Sequence, residues 1–239
     1  MCLALPSAKR PEGTHVWDLP TRLFHWTLAI LVVVCFLTGW NGGNWMVWHG
    51  RAGSAIVGLI AFRLVWGVIG STYARFATFV RGPQAIVAYL KGQWCGAGHN
   101  PLGALSVLGL LGLMLFQSIT GLFGNDDISF NGPLYALVSK ESSDWLVGWH
   151  RQTKWLLLAL IVLHLGAIGF YRLVKKDDLV KPMLTGRKTF CVACKVKDAK
   201  GGGFRAFLLA TAIGIFAWWA ASGGLLPPPP PVSTTIPAW

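Results

Sequence analysis

Five apolar runs constrain this chain of 239 residues more than any other feature. They fall at about 22–40, 49–70, 101–123, 148–173 and 204–224, each near the roughly 20 residues that cross a bilayer core of about 30 Å. The first reads RLFHWTLAILVVVCFLTGW and the second HGRAGSAIVGLIAFRLVWGVIG. The fifth, FRAFLLATAIGIFAWWAASGG, is the weakest because small residues dilute it. In hydrocarbon every backbone N–H and C=O has to be paired within the segment, so runs of this length are expected to be helices. The expected fold class is an all-α integral membrane protein. Composition agrees: 13% of residues are charged, against about 25% in soluble domains.

The N-terminal run has the basic lead, Lys9 and Arg10, of a secretory signal. It continues to Trp40, shows no small-residue cleavage pattern and is followed by four more runs, so it reads as a retained first span.

The net charge of +12 raises the question of nucleic acid, and its distribution answers it. The basic residues flank the apolar runs and form no single tract, which is the positive-inside pattern and not a nucleic-acid interface. Lys9, Arg10 and Arg22 precede or edge the first run, and Arg75, Arg81 and Lys91 lie between the second and third without an acidic residue. Ten basic residues against three acidic ones follow between Arg172 and Arg205. By contrast 41–48 carries no charge, and 124–147 holds Asp126, Asp127, Glu141 and Asp144 against Lys140 alone. The N-terminus is therefore expected on the cytoplasmic side and the C-terminus outside. The chain divides into a tail (1–15), a bundle (16–173), a basic linker (174–203), a fifth span (204–224) and a proline-rich tail (225–239), LLPPPPPVSTTIPAW, expected to be extended. No internal repeat is visible. Five scattered cysteines (Cys2, Cys35, Cys95, Cys191 and Cys194) do not form an extracellular disulfide framework.

Four histidines, His25, His49, His150 and His164, sit in or at the edges of the runs. Ionisable groups are costly in a membrane, which makes each a candidate functional residue. A neutral histidine bonded across helices is the structural alternative for any one of them. As a set they sort by depth. Fourteen residues separate His150 from His164, an advance of about 21 Å and nearly four whole helical turns, so the two share a face. The alternating direction of the spans then makes an inner pair, His25 with His164, and an outer pair, His49 with His150. Facing imidazoles at two levels of a helix bundle suit two bis-histidine haems. Zinc would require three or four converging ligands per site, and a proton relay would be expected to include intramembrane carboxylates, which the spans lack.

Gly53, Gly58, Gly103, Gly109, Gly112, Gly166 and Gly169 either make room for a porphyrin or serve close helix packing. Arg51, Arg151 and Lys154 near the outer pair, and Arg63 on the inner side, either partner haem propionates or snorkel to the membrane surface.

Three motifs carry a family resemblance: VWDLPTRLFHW (16–26), WHG (48–50) followed by FRLVWGVIG (62–70), and the WH…LH pair of the fourth run. Together they resemble the bacterial cytochrome b561 family, which includes the b-type cytochrome subunits of membrane-bound nickel–iron hydrogenases. The resemblance covers about 16–173. It implies a four-helix transmembrane bundle holding two haems b on residues matching His25, His49, His150 and His164; the fifth C-terminal transmembrane helix, read from its apolar run, lies beyond the matched core. It further implies a bacterial inner-membrane protein that carries electrons between a quinone pool and a redox partner, a periplasmic cytochrome c or redox enzyme subunit. The acidic segment 124–147 would dock a basic partner, and quinone would exchange near the inner pair.

The pair Cys191 and Cys194 has Lys195 where a covalent c-type haem motif needs histidine, so it is a free thiol pair, a redox couple or half a metal site. His15 and His99 are expected to be solvated loop residues, with His99 near an inner quinone pocket as the alternative. Two other functions remain open: a stand-alone quinone-linked oxidoreductase with a small soluble electron acceptor or donor, and a haem-free membrane scaffold or transporter.

Overall fold

The computed structural model describes residues 13–94, 96–190 and 196–227. The pair Cys191 and Cys194, Cys2, Cys95, the residues before Gly13 and most of the proline-rich tail lie outside the described residues. Among the described residues, five long helices are apolar enough to cross a membrane. They are α1 (Leu19–Asn41), α2 (Met46–Ile69, preceded by a 3-10 turn at Gly43–Trp45), α5 (Pro101–Leu122), α6 (Lys140–Leu173) and α8 (Phe204–Ala221). Short helices α3 (Phe76–Phe79), α4 (Pro83–Leu90) and α7 (Val180–Thr185) lie between them, and β1 (Thr14–His15) pairs antiparallel with β2 (Arg187–Lys188). The chain is a mostly helical, multi-pass membrane protein.

The end of the bundle where α1 begins is called proximal here, and the opposite end distal. Capping residues set the proximal starts. Asp18 caps α1, its Oδ1 accepting from the Thr21 N–H at 2.6 Å, while its other oxygen accepts from Trp66 Nε1 and Ser71 Oγ. One carboxylate thus satisfies an orphan helix amide and ties the start of α1 to the end of α2. Asn100 does the same for α5: Oδ1 accepts from Gly103 N–H at 2.7 Å, and Nδ2 donates to the hydroxyls of Tyr171 on α6 and Tyr89 on α4.

The packed pairs are α1 with α2, α2 with α5, α5 with α6 and α2 with α8, whereas α1 and α6 meet only sparsely. Phe24, Leu28, Ile56, Ile60, Leu111, Met114 and Leu157 join the first four in one core at mid-depth. Lipid tails are as apolar as leucine, so helices in a membrane associate through close van der Waals approach. The α2–α8 crossing illustrates this. A Cβ added at Gly58 would stand 2.8 Å from the Gly214 carbonyl oxygen, and one at Gly214 would stand 2.9 Å from that of Gly58. Gly58 is therefore committed to helix packing and not to cofactor space.

Helix α6 is longer than the apolar run at 148–173. Ser139 caps it, Glu141 lies in its first turn, and its 34 residues extend about 51 Å. Its polar first turns stand beyond a 30 Å core and hold the distal loop: Lys140 bridges Asp127 and Asp144, and Asn125 Nδ2 donates to Ser143 Oγ at 2.7 Å. Within the loop, Asp126 Oδ1 accepts from the backbone N–H groups of Phe130, Ser129 and Ile128, and these bonds, Phe130 foremost, hold its carboxyl below the usual range. Exposed Trp40, Trp45, Trp48, Trp145 and Trp149 gather at the distal end, as an interfacial aromatic belt does. At the proximal end 196–203 runs beside 71–73, with Thr72 N–H donating to Lys200 O and the Tyr73 hydroxyl to Lys197 O, and so delivers α8 to α2.

Candidate functional site: two histidine levels in the bundle

The distal level is the better defined. His49 lies in the first turn of α2 and His150 three turns into α6, and their ring centres are 5.9 Å apart with planes at 80°. Each ring is fixed through Nδ1. His49 Nδ1 donates to the Cys35 carbonyl at 2.9 Å, and His150 Nδ1 to the Gln117 carbonyl at 2.8 Å. A carbonyl only accepts, so both imidazoles are Nδ1–H tautomers with the Nε2 lone pair free for a metal. Such a carbonyl partner orients a ligating histidine and raises its basicity. Two such imidazoles with free Nε2 atoms could hold one haem iron between them.

Both rings line a cleft of about 450 Å³ between α1, α2, α5 and α6, roofed by the distal loop through Asn125, Asp126, Ile128 and Phe130. Gly53 faces open space beside it, so the glycine leaves room where a side chain would intrude. Arg151 and Lys154 line the cleft. Arg51 does not; its guanidinium lies 5.0 Å above the Trp48 ring.

At the proximal level His25 and His164 lie within electrostatic reach of one another. His25 packs edge-on against Trp26 at 5.1 Å, and its Nδ1 is sealed from solvent without a hydrogen-bond partner among the described residues. Arg63, only 2% exposed, stacks over Phe76 at 4.8 Å with Nη1 also unpartnered among the described residues. A buried guanidinium nitrogen without an acceptor is costly, and an anionic ligand group would satisfy it. Gly112, Gly166 and Gly169 face open space; Gly109 lies against Leu160, and Gly103 beside the Asn100 cap.

His99 departs from the expectation of a solvated loop residue. It is wedged between Trp17 and Phe79, 4.7 Å from each ring centre, with Nδ1 sealed and unpartnered among the described residues. Burial, followed by the charges of Arg63, His25 and His164, pushes its pKa down to about 3. The aromatic residues that enclose it come from the segment before α1 and from α3, distant in sequence, which no local pattern announces. His15 stays in the proximal cap, its backbone N–H donating to Asp198.

Sequence reasoning also missed the residues that hold the distal pair, although a short repeat marked them. Thr38-Gly39 precedes Trp48-His49, and Thr120-Gly121 precedes Trp149-His150. In both cases the Thr-Gly step ends one helix and its Trp-His partner stands on the next, with unequal intervals that conceal the correspondence. Bis-histidine sites of this kind would leave iron no open coordination position and would suit electron transfer over oxygen activation.

The family model for prokaryotic cytochrome b561 matches residues 16–186. Curated relatives named as probable Ni/Fe-hydrogenase B-type cytochrome subunits are similar over most of their length. The Cupriavidus necator protein is 22% identical over 78% of this chain and 91% of its own. The Azotobacter chroococcum protein is 24% identical over 76% and 91%. For the Escherichia coli K12 hydrogenase 1 subunit the values are 21%, 73% and 90%. No solved structure matches the chain.

Proposed function

Since the chain belongs to the prokaryotic cytochrome b561 family, we propose that it is a di-haem b-type cytochrome carrying electrons across the bacterial inner membrane between quinone and a periplasmic redox partner. One haem b is held by His49 and His150, the other by His25 and His164. The observation that carries this reading is the opposed distal pair, 5.9 Å apart with both Nδ1–H groups spent on carbonyls.

The chain's residues have separable tasks. His150 and His164 share helix α6, about 21 Å apart, so one rigid element presents a ligand at each level. The core between the levels, including Ile56, Ile60, Met114 and Leu157, excludes water from the interior. Arg63 offers a buried cation to a propionate at the proximal level, while Arg151 and Lys154 offer cations at the distal cleft. When bound, the haems supply reversible one-electron chemistry, with potentials set by ligation, hydrogen bonds and burial.

The charge asymmetry of the connections supports a cytoplasmic proximal end. Quinone exchange belongs near the proximal pair, where cytoplasmic protons are accessible. The relatives' names support a hydrogenase-type partner. The distal loop, with Asp126, Asp127, Glu141 and Asp144, supports docking of a partner surface that presents basic residues.

A reduced-minus-oxidised spectrum of the purified protein, with haem stoichiometry and a redox titration, tests the reading. Two b-type components per chain are expected. Absence of a b-type α-band would leave a haem-free scaffold or transporter. Co-purification of a periplasmic redox subunit supports the wire, and quinone-linked turnover with a small soluble acceptor in its absence supports a stand-alone oxidoreductase.

A further inference from the structure

The distal histidines are held by two constructions so alike that they point to one device used twice. On α1, the Cys35 carbonyl accepts from His49 Nδ1, Thr38 Oγ1 lies 3.5 Å from the same nitrogen, and Gly39 lies against the ring. On α5, the Gln117 carbonyl accepts from His150 Nδ1, Thr120 Oγ1 lies 3.3 Å from it, and Gly121 lies against that ring. Carbonyl, threonine and glycine occupy positions i, i+3 and i+4 in both helices. The threonine hydroxyls already donate to their own helices, Thr38 to Val34 O at 2.6 Å and Thr120 to Phe116 O at 2.9 Å. That donation leaves an oxygen lone pair as the only thing either hydroxyl can turn toward the imidazole.

The glycines set the fit. A Cβ at Gly39 would stand 2.9 Å from Cε1 and Nδ1 of His49 but 3.8 Å from Nε2. At Gly121 the distances to His150 are 2.9 Å to Cε1, 3.2 Å to Nδ1 and 3.8 Å to Nε2. The glycines therefore seat the Nδ1 edge of each ring, and Nε2 is held off them. A methyl group at either position forces the ring away from the carbonyl. Metal–ligand distances tolerate only about 0.2 Å, so a displaced ring forfeits the bond. At the proximal level His25 has no such seat, since its Nδ1 has no hydrogen-bond partner among the described residues.

We propose that the Thr-Gly steps at Thr38-Gly39 and Thr120-Gly121 are matched positioning elements that set the distal histidine pair and tune its iron, one step per ligand. This rests on the reading of His49 and His150 as ligands to one haem. The glycine governs whether the ligand reaches the metal. The threonine oxygen shares the Nδ1–H with the carbonyl and adds to ligand basicity, which favours ferric over ferrous iron and lowers the midpoint potential.

The test uses the purified full-length protein with its native haem, the distal component of the redox titration being the one that His49→Ala and His150→Ala both remove. Gly39→Ala and Gly121→Ala are expected to reduce haem from two to one per chain, with the proximal component unchanged. Gly148→Ala, on α6 with nothing near its added Cβ, is expected to keep two. Thr38→Val and Thr120→Val are expected to keep both haems and raise only the distal midpoint, and the serine variants to restore it. Retention of an unshifted distal component in the alanine variants, loss of both haems in them, or a distal midpoint indifferent to valine would each overturn the proposal. A wild-type protein without two b-type components, or His49→Ala and His150→Ala variants that lose different ones, would instead refute the ligand reading beneath it.

Discussion

His49 and His150 face each other across the distal cleft with ring centres 5.9 Å apart, although one opens α2 and the other lies well inside α6. That relationship makes the pairing of ligands testable by subtraction. His49→Ala and His150→Ala should each remove the same component of the redox titration and leave one haem per chain. His25→Ala and His164→Ala should each remove the other. Pyridine haemochrome quantification with the titration decides it; loss of one component by both His25→Ala and His49→Ala would break the assignment.

Arg63 is nearly inaccessible, and its Nη1 has no hydrogen-bond partner among the described residues. If it holds a propionate, Arg63→Gln removes a charge-assisted bond of about 1.5–3 kcal/mol. Retention of the proximal haem should weaken on the order of ten- to a hundredfold, read as haem lost to a competing apoprotein scavenger over time. Distal haem should be retained as in the wild type. Equal weakening at both levels would remove Arg63 from the proximal site.

What the sequence disclosed followed from strong, local signals. The five spans were legible because a bilayer demands about twenty apolar residues at a stretch. The depth of each histidine followed from counting along those spans. The start of α6 was not legible, because residues 140–144 are polar and lie beyond the hydrocarbon, where hydropathy carries no helix signal. The partner of α8 was hidden too: a Gly58–Gly214 crossing is a relation between two small residues with no pattern of their own. The Thr-Gly and Trp-His repeat could be read in the letters, but only the Nδ1 bonds show why it recurs.

His99 illustrates a half-buried group, its Nδ1 sealed from solvent, that folding keeps neutral. Its pKa is lowered to about 3 in the fold, against an ordinary value near 6.5. Between those values the unfolded chain binds the proton and the folded one does not, so stability falls as pH falls through that window. Above about 6.5 both states are neutral and the contribution is pH-independent. Replacing His99 with glutamine should therefore flatten the decline of the unfolding midpoint between about pH 6.5 and pH 4. Circular dichroism melts in detergent at stepped pH measure this, and an unchanged slope would show that the ring is solvated in solution.

The close crossing of α2 and α8 predicts a separation between stability and cofactor binding. Gly58 and Gly214 each approach the other's carbonyl oxygen too closely for any side chain, and Ser54 Oγ reaches the Ala221 carbonyl at 3.4 Å along the same seam. Gly214→Leu must push α8 off α2, and overpacking of this kind costs about 1–3 kcal/mol. None of the four candidate ligands lies on α8, and the cleft at the distal level is lined without it. The variant should lower the midpoint of denaturant unfolding while keeping two haems per chain with unshifted potentials. Haem loss in proportion to the lost stability would mean instead that α8 holds α2 in place and, through it, the seat of His49.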